Sequence, residues 1–159
     1  MNKRNYAYLL CALSVFALSY LQAITKTKGK SMEQGQTLDL KNFKSSPSGI
    51  LFEILKPGTG AQAAKGQFAT VHYTGHLLEN NDKVGKFFDS SKSRNQPFKF
   101  RIGAGQVIRG WDLTLQEMKV GETRIVVLPP AMGYGSQSVG KIIPANSTLI
   151  FEIELLSVS

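Results

Sequence analysis

The chain has 159 residues, enough for one domain of ordinary size and an additional segment. Its net charge is +8, but from residue 48 onward 12 cations face 9 anions, a balance of only +3. These cations are scattered, which argues against a nucleic-acid-binding protein, because such proteins cluster their basic residues on one face. The single cysteine, Cys11, excludes an internal disulfide framework. It lies in the N-terminal apolar run, so loss of that run would also exclude cysteine-based catalysis and zinc binding.

Residues 1–23 have the layout of a secretory signal peptide. Lys3 and Arg4 supply the positive charge, an uncharged and largely apolar run follows over residues 6–23, and Ala23 is a small residue suited to cleavage. The alternative is an uncleaved membrane anchor, for which this run lies near the lower limit of about 17–25 residues. We therefore expect an exported protein, periplasmic or secreted in a bacterium or in the secretory lumen of a eukaryote, with membrane anchoring as the alternative.

Residues 24–47 are rich in Lys, Gln, Ser and Thr, with Phe43 as their only aromatic residue. They show no sustained period of 2 or 3.6, so nothing in the pattern indicates a strand or a helix with a buried face. The composition predicts a flexible polar tether. The globular domain is then expected over residues 48–159.

The globular part contains alternating or apolar runs that predict five strands, over residues 50–55, 67–78, 97–102, 122–128 and 148–156. One segment has helical spacing instead. Its apolar stripe recurs at intervals of three, four and three residues, and Gly121 follows as a terminator; the stripe consists of Ile108, Trp111, Leu115 and Met118. This pattern predicts an α+β fold in which the helix packs on one face of a mostly antiparallel sheet.

The motifs of the common hydrolase, nucleotide and metal sites are missing from this part of the sequence. His72 and His76 lie in a predicted strand and have no accompanying ligand cluster. The run from Gly103 to Gly105 departs from a dinucleotide-binding loop, because Ile108 stands where the third glycine belongs. What remains is a dense set of aromatic and branched residues near turns and strand ends, which the pattern alone interprets as core.

Seven short runs resemble FKBP domains, the macrolide-binding family of peptidyl-prolyl isomerases, and they occur in the family's order over residues 48–159. They are Val71-His72-Tyr73-Thr74-Gly75, Phe88-Asp89-Ser90-Ser91, Pro97-Phe98, Val107-Ile108-Arg109-Gly110-Trp111, Ala131-Met132-Gly133-Tyr134-Gly135, Ile142-Ile143-Pro144 and Leu149 to Leu156. The resemblance implies a twisted antiparallel β-sheet wrapped around one short α-helix. The segment between Gly75 and Phe88 is longer here than in the smallest family members, which affects the expected substrate preference more than the activity.

The resemblance also implies an activity and a site. The activity is peptidyl-prolyl cis/trans isomerisation (EC 5.2.1.8) of proline-containing polypeptides, inhibited by macrolides of the rapamycin type, with no metal and no cofactor. Asp89 and Tyr134 are the implied catalytic residues, with Arg94 close to Asp89. Trp111 is the implied floor of the pocket. The Tyr134 hydroxyl and the backbone N–H of Ile108 are the implied hydrogen-bond donors to the substrate carbonyl. The remaining implied pocket residues are Tyr73, Phe88, Phe98, Val107, Ile142, Ile143 and Phe151.

Two other functions stay open at this point. The leading alternative is a non-catalytic binding module or chaperone on the same fold, since a fold does not by itself determine a function. Nucleic-acid binding is the more distant one, and salt-dependent affinity would reveal it. We expect an isomerase that assists the folding of exported proteins and acts as a monomer, in contact with a membrane only if the N-terminal segment is retained.

Overall fold

The structure, a computed structural model, describes residues 32–159. The predicted signal peptide or anchor at residues 1–23 and the first part of the predicted tether lie outside the described residues. Among the helices that are described, none is long and apolar enough to cross a membrane. The elements in chain order are β1 (Lys44–Ser45), β2 (Leu51–Lys56), β3 (Phe68–Glu79), β4 (Lys83–Ser90), β5 (Phe98–Arg101), α1 (Arg109–Gln116), β6 (Thr123–Leu128) and β7 (Leu149–Val158), with 3-10 turns at Leu40–Asn42 and Pro130–Met132.

The strands form one antiparallel sheet in the order β1-β2-β6-β7-β3-β4, and β5 pairs with β3 beside this path. Strand β3 is long enough to pair with three partners. It lies against β7 along most of its length, while its other edge pairs first with β5 and then with β4. The predicted α+β fold, an antiparallel sheet with one short helix, is confirmed.

Helix α1 packs one face against the inner surface of this sheet. Trp111 and Leu115 are buried on that face together with Met118, which follows the helix, in agreement with the predicted stripe. Val71 from β3 and Ile153 from β7 are fully buried in the same cluster. Burial of this apolar surface is the main stabilising term of the domain, at about 25 cal/mol per Å² removed from water.

The outer surface of the sheet is covered by residues 32–47, which we call the N-terminal strap. Met32 and Leu38 are buried against a second cluster formed by Val84, Ile125, Val127 and Ile150. Backbone hydrogen bonds join the strap to β4, with the Val84 carbonyl accepting from Gly35 N at 2.7 Å and Val84 N donating to Gln36 O at 2.8 Å. The prediction of a flexible tether is therefore wrong for residues 32–47. Only a few apolar residues anchor this segment, and they are too widely spaced to produce a period.

Because of the strap, β7 is buried on both faces rather than on one. Its residues from Leu149 to Ile153 are all buried, and they include the charged Glu152. The Glu152 carboxylate accepts a hydrogen bond from Lys92 Nζ at 2.8 Å and one from Met32 N at 3.4 Å. A buried carboxylate needs such partners, because an unpaired buried charge is very costly.

Truncation of the strap's central anchor tests this packing. We expect Leu38→Ala to lower the free energy of unfolding by about 2–3 kcal/mol, since a fully buried leucine loses its contacts and leaves a cavity. Gln34→Ala, at an exposed position of the same segment, is the control and should change stability by less than about 0.5 kcal/mol. Urea unfolding of the three proteins gives both values. Equal stability of the Leu38 and Gln34 variants would mean that the strap does not pack on the sheet.

Candidate active site

Trp111 lies in the first turn of α1 and is surrounded by aromatic rings from the sheet. Its ring centroid is 4.9 Å from that of Tyr73 and 5.3 Å from that of Phe151, with interplanar angles of 80° and 84°. Phe98 and Phe100 approach it at 6.2 Å and 5.8 Å. Edge-to-face contacts of this kind are favourable beyond the area they bury, and they restrict each ring to one orientation. Trp111 is therefore held rigidly in this ring cluster, and only 4% of its surface is exposed.

An open cavity of about 200 Å³ lies next to this tryptophan, between the start of α1 and the concave face of the sheet. Most of the side chains that line it are aromatic or aliphatic, a typical property of ligand pockets. The residues around it are Tyr73, Phe88, Asp89, Phe98, Gln106, Val107, Ile108, Trp111, Tyr134 and Phe151. Nine of these ten belong to the twelve predicted site residues. Gln106 was not predicted, although it directly precedes Val107, the first residue of one of the FKBP-like runs.

A polar group lies at the rim of the cavity. The Asp89 carboxylate accepts one hydrogen bond from the Tyr73 hydroxyl and another from Arg94 Nη1, in a salt bridge. Arg94 Nη2 also donates to the Tyr73 hydroxyl at 3.1 Å, which closes a triangle of three side chains. Arg94 is not among the residues that line the cavity, but it forms a salt bridge with Asp89, which is.

The turn after β4 holds Asp89 against β3. Ser90 Oγ donates to the carbonyl of Tyr73 at 2.9 Å, and Ser91 Oγ accepts from Tyr73 N at 2.9 Å. Both serines are buried. Ser and Thr hydroxyls readily form such bonds to nearby backbone groups. Asp89 and Tyr73 consequently belong to one rigid unit, although 16 residues separate them in sequence.

The charge states of the site follow from this environment. Partial burial alone would raise the pKa of Asp89, but the hydrogen bonds from Arg94 and Tyr73 outweigh it and leave the pKa below its usual range. Burial, followed by the bond to Asp89, raises the pKa of Tyr73. Burial also raises the pKa of Tyr134, and the nearby Asp89 charge adds to the effect. At neutral pH the site therefore contains one carboxylate and two protonated phenols.

Tyr134 and Ile108, which both line the cavity, each carry a hydrogen-bond donor without an acceptor in the described part of the chain. The Tyr134 side chain follows the 3-10 turn at Pro130–Met132 and is 38% exposed, and its hydroxyl makes no hydrogen bond within residues 32–159. The backbone N–H of Ile108, just before α1, also donates to nothing in that range. The first N–H groups of a helix have no partner inside it. Both groups are free to donate to a carbonyl of a bound molecule.

Ile142 and Ile143 were predicted to line the pocket, but they do not. Val139 and Ile143 exchange two backbone hydrogen bonds, at 2.9 and 3.2 Å, which fold the loop into a small hairpin. This arrangement buries Ile143 in the core, where it is 6% exposed, and leaves Ile142 in solvent at 42% exposure. Ile143 packs in the same buried cluster as Trp111, and of residues 133–144 only Tyr134 lines the cavity.

A family model described as FKBP-type peptidyl-prolyl cis-trans isomerase matches residues 60–156, more than half of the chain. The chain belongs to this family. The chain is also similar to an FK506-binding protein of Neisseria meningitidis serogroup B, with 49% identity over 110 residues that cover 69% of this chain and 96% of that protein. FK506-binding protein 1A of Aspergillus fumigatus is 45% identical over 112 residues, 70% of this chain and 96% of that protein. The strap precedes the range that the family model matches.

A solved structure supports the same assignment. The crystal structure of AtFKBP13 superimposes with a TM-score of 0.66 at 40% identity, and the match covers 74% of this chain and 99% of that one. The predicted family, fold and enzyme class are confirmed, and the protein is a peptidyl-prolyl cis-trans isomerase.

Proposed function

We propose that the cavity beside Trp111 is where this FKBP-type isomerase binds the proline of its substrate and where the X-Pro bond rotates. The observation that carries the proposal is the enclosure of a tryptophan by aromatic rings at the base of an open, mostly apolar cavity. A prolyl ring is compact and apolar, and it would bury well against such a base. The unengaged donors of Tyr134 and Ile108 lie at the same cavity.

The chemistry requires no covalent step. Rotation about a peptide bond has a barrier of about 18–20 kcal/mol, because resonance gives the C–N bond partial double-bond character. In the twisted transition state that resonance is lost, so the carbonyl oxygen carries less negative charge and is hydrated less strongly. Water thus favours the planar ground state. A site that excludes water removes this preference and binds the twisted form relatively more tightly.

The polar groups act on the twisted bond in different ways. We assign Tyr134 Oη and the Ile108 N–H to the substrate carbonyls, because each is a donor that has no acceptor within residues 32–159. Asp89 contributes its negative charge and holds the Tyr73 hydroxyl. A carboxylate near the cavity disfavours negative charge on the substrate carbonyl, which the twisted state has already reduced.

We also propose that a macrolide of the rapamycin type binds in this cavity. Two of the relatives described above carry the name FK506-binding protein. The experiment is an isomerisation assay with increasing macrolide. We expect complete inhibition at one macrolide per chain. A chain that binds the macrolide but never accelerates isomerisation would instead be a binding module.

The rate should be almost independent of pH. Asp89 has a pKa below its usual range and stays ionised as the pH falls, whereas Tyr73 and Tyr134 have raised pKa values and stay protonated as it rises. We expect kcat/KM for an uncharged peptide to change less than about twofold between about pH 5.5 and 9. A bell-shaped profile centred near neutrality would indicate proton transfer and contradict the mechanism.

For the cellular role we propose an exported monomer that assists the folding of proline-containing proteins outside the cytoplasm. The support is the charge and hydropathy layout of residues 1–23. Sequencing of the mature N-terminus is the test, and we expect it to begin near Ile24. A mature, membrane-bound form that retains residues 6–23 would establish the anchor instead.

A further inference from the structure

The loop between β5 and α1, residues 102–108, forms one wall of the cavity. Its last three residues, Gln106, Val107 and Ile108, line the cavity. Earlier in the loop, Gly103 and Gly105 have φ angles of +72° and +68°. Glycine adopts this left-handed backbone without strain, whereas a residue with a side chain does so at a cost. The loop therefore turns sharply just before it reaches the cavity.

One carboxylate fixes this turn. Asp112 Oδ1 accepts a hydrogen bond from Gly103 N at 2.8 Å, and Asp112 Oδ2 accepts one from Gly105 N at 3.0 Å. No other N–H of residues 103–108 donates a hydrogen bond within residues 32–159. Hydrogen bonds to an ionised acceptor are about twice as strong as neutral ones. The loop is also held at its ends, where Arg101 N donates to Gln106 Oε1 at 2.8 Å and Ile102 N donates to Gln67 O at 2.9 Å. The two bonds to Asp112 are the side-chain constraint that joins the glycine turn to α1.

The position of Asp112 makes this constraint relevant to the site. It follows Trp111 directly in α1, so the helix that supplies the cavity floor also binds the loop that supplies the wall. Its backbone N–H donates to Ile108 O at 3.3 Å, a third link between the two elements. The floor and the wall are thereby held in one geometry before any substrate binds.

We propose that Asp112 is a positioning residue for the isomerisation reaction. Asp112 is not itself one of the residues that line the cavity. Its carboxylate holds the loop so that the Val107 side chain and the Ile108 N–H keep their places relative to Trp111. This inference rests on the proposed function of the cavity. Preorganised groups are worth more than mobile ones, because a mobile wall must be ordered at the expense of binding energy in every catalytic cycle.

Three variants of the full chain test the role of the carboxylate. Asp112→Ala removes both acceptor oxygens, and Asp112→Asn keeps one. Asp112→Glu keeps both on a side chain that is one methylene longer. Asp39→Ala is the matched control. The Asp39 carboxylate also accepts a backbone N–H, that of Lys41 at 3.3 Å, but in the strap on the other face of the sheet. For each protein we would measure kcat/KM, the hydrogen-exchange rates of Gly103 N–H and Gly105 N–H, and stability to urea.

We expect Asp112→Ala to lower kcat/KM by about tenfold, with faster exchange at both glycines, because the wall loses its fixed geometry. The kcat/KM of Asp112→Asn should lie between those of Asp112→Ala and wild type, and that of Asp112→Glu should be within about threefold of wild type. Asp39→Ala should retain wild-type activity. If Asp112→Ala does not fold, the same measurements on Asp112→Asn and Asp112→Glu test the role of the carboxylate, and Asp112→Asn should then be the slower enzyme.

The proposal is overturned if the glycine amides exchange faster in Asp112→Ala or Asp112→Asn while kcat/KM stays within about twofold of wild type. A Glu variant as slow as the Ala variant also overturns it, since the carboxylate would then not be the important feature. A wild-type chain that fails to accelerate isomerisation would remove the proposed function, and this inference with it. An active wild type with unaffected variants removes the inference alone.

Discussion

Asp89→Leu should lower kcat/KM by about 10- to 100-fold. A hydrogen bond to a charged group contributes about 1.5–3 kcal/mol, and a loss of that size in the transition state corresponds to this change in rate. Loss of the carboxylate releases the Tyr73 hydroxyl and leaves the Arg94 guanidinium without its partner beside the cavity. An unpaired cation at the rim would attract water into a site that functions by excluding it.

Stability separates this effect from unfolding. The Asp89 side chain is 40% exposed, so its salt bridge is largely screened and the fold should survive the change. Asp82→Leu, in the exposed turn between β3 and β4, is the control and should leave kcat/KM unchanged. Tyr134→Phe removes a single donor and should cost about tenfold. Asp89→Leu and Tyr134→Phe proteins with wild-type rates would reject the roles assigned to both side chains.

Trp111→Leu should weaken macrolide binding by about tenfold or more. A leucine keeps the floor apolar but lacks the broad flat face against which a ligand ring packs, and an aromatic contact of this kind contributes about 0.5–1.5 kcal/mol beyond its area. The truncation also removes the edge contacts to Tyr73 and Phe151. We therefore expect the free energy of unfolding to fall by about 2 kcal/mol as well.

Trp111→Phe is the matched control, since it retains an aromatic floor and should retain most of the affinity. Titration calorimetry measures the affinities, and urea unfolding measures the stabilities. If Trp111→Leu bound the macrolide as tightly as Trp111→Phe and wild type, Trp111 would be a core residue, and the binding site would lie elsewhere.

Much of the fold was predictable because a helix or strand that buries only one face shows a regular spacing of hydrophobic residues. β5 alternates cleanly and the α1 stripe has helical spacing, and both elements face the core on one side only. β4 was missed because Lys83, Gly85 and Lys86 interrupt any alternation along its edge position. The strap was missed for a different reason: its two buried anchors, Met32 and Leu38, are isolated in polar sequence, and their burial depends on a sheet formed much later in the chain.

The site was predictable mainly through motifs rather than patterns. The FKBP-like runs predicted that Asp89, Trp111 and Tyr134 lie at one cavity. Without them, the sequence pattern indicates only that the aromatic residues belong to the core. The prediction that Ile142 and Ile143 line the pocket was wrong because the hairpin in their loop depends on local backbone hydrogen bonds, which the sequence pattern does not reveal. The role of the Asp112 carboxylate became visible only when its distances to two distant N–H groups were known.

Trp111, the single tryptophan of the chain, can report directly on whether isomerisation takes place in the cavity beside it. The cis/trans exchange rate of an X-Pro peptide and the tryptophan fluorescence are followed in the same macrolide titration. We predict that the chain accelerates exchange, that fluorescence changes saturably at one macrolide per chain, and that both curves share one midpoint. Acceleration that persists when the fluorescence change is complete would show that isomerisation does not occur in the cavity beside Trp111.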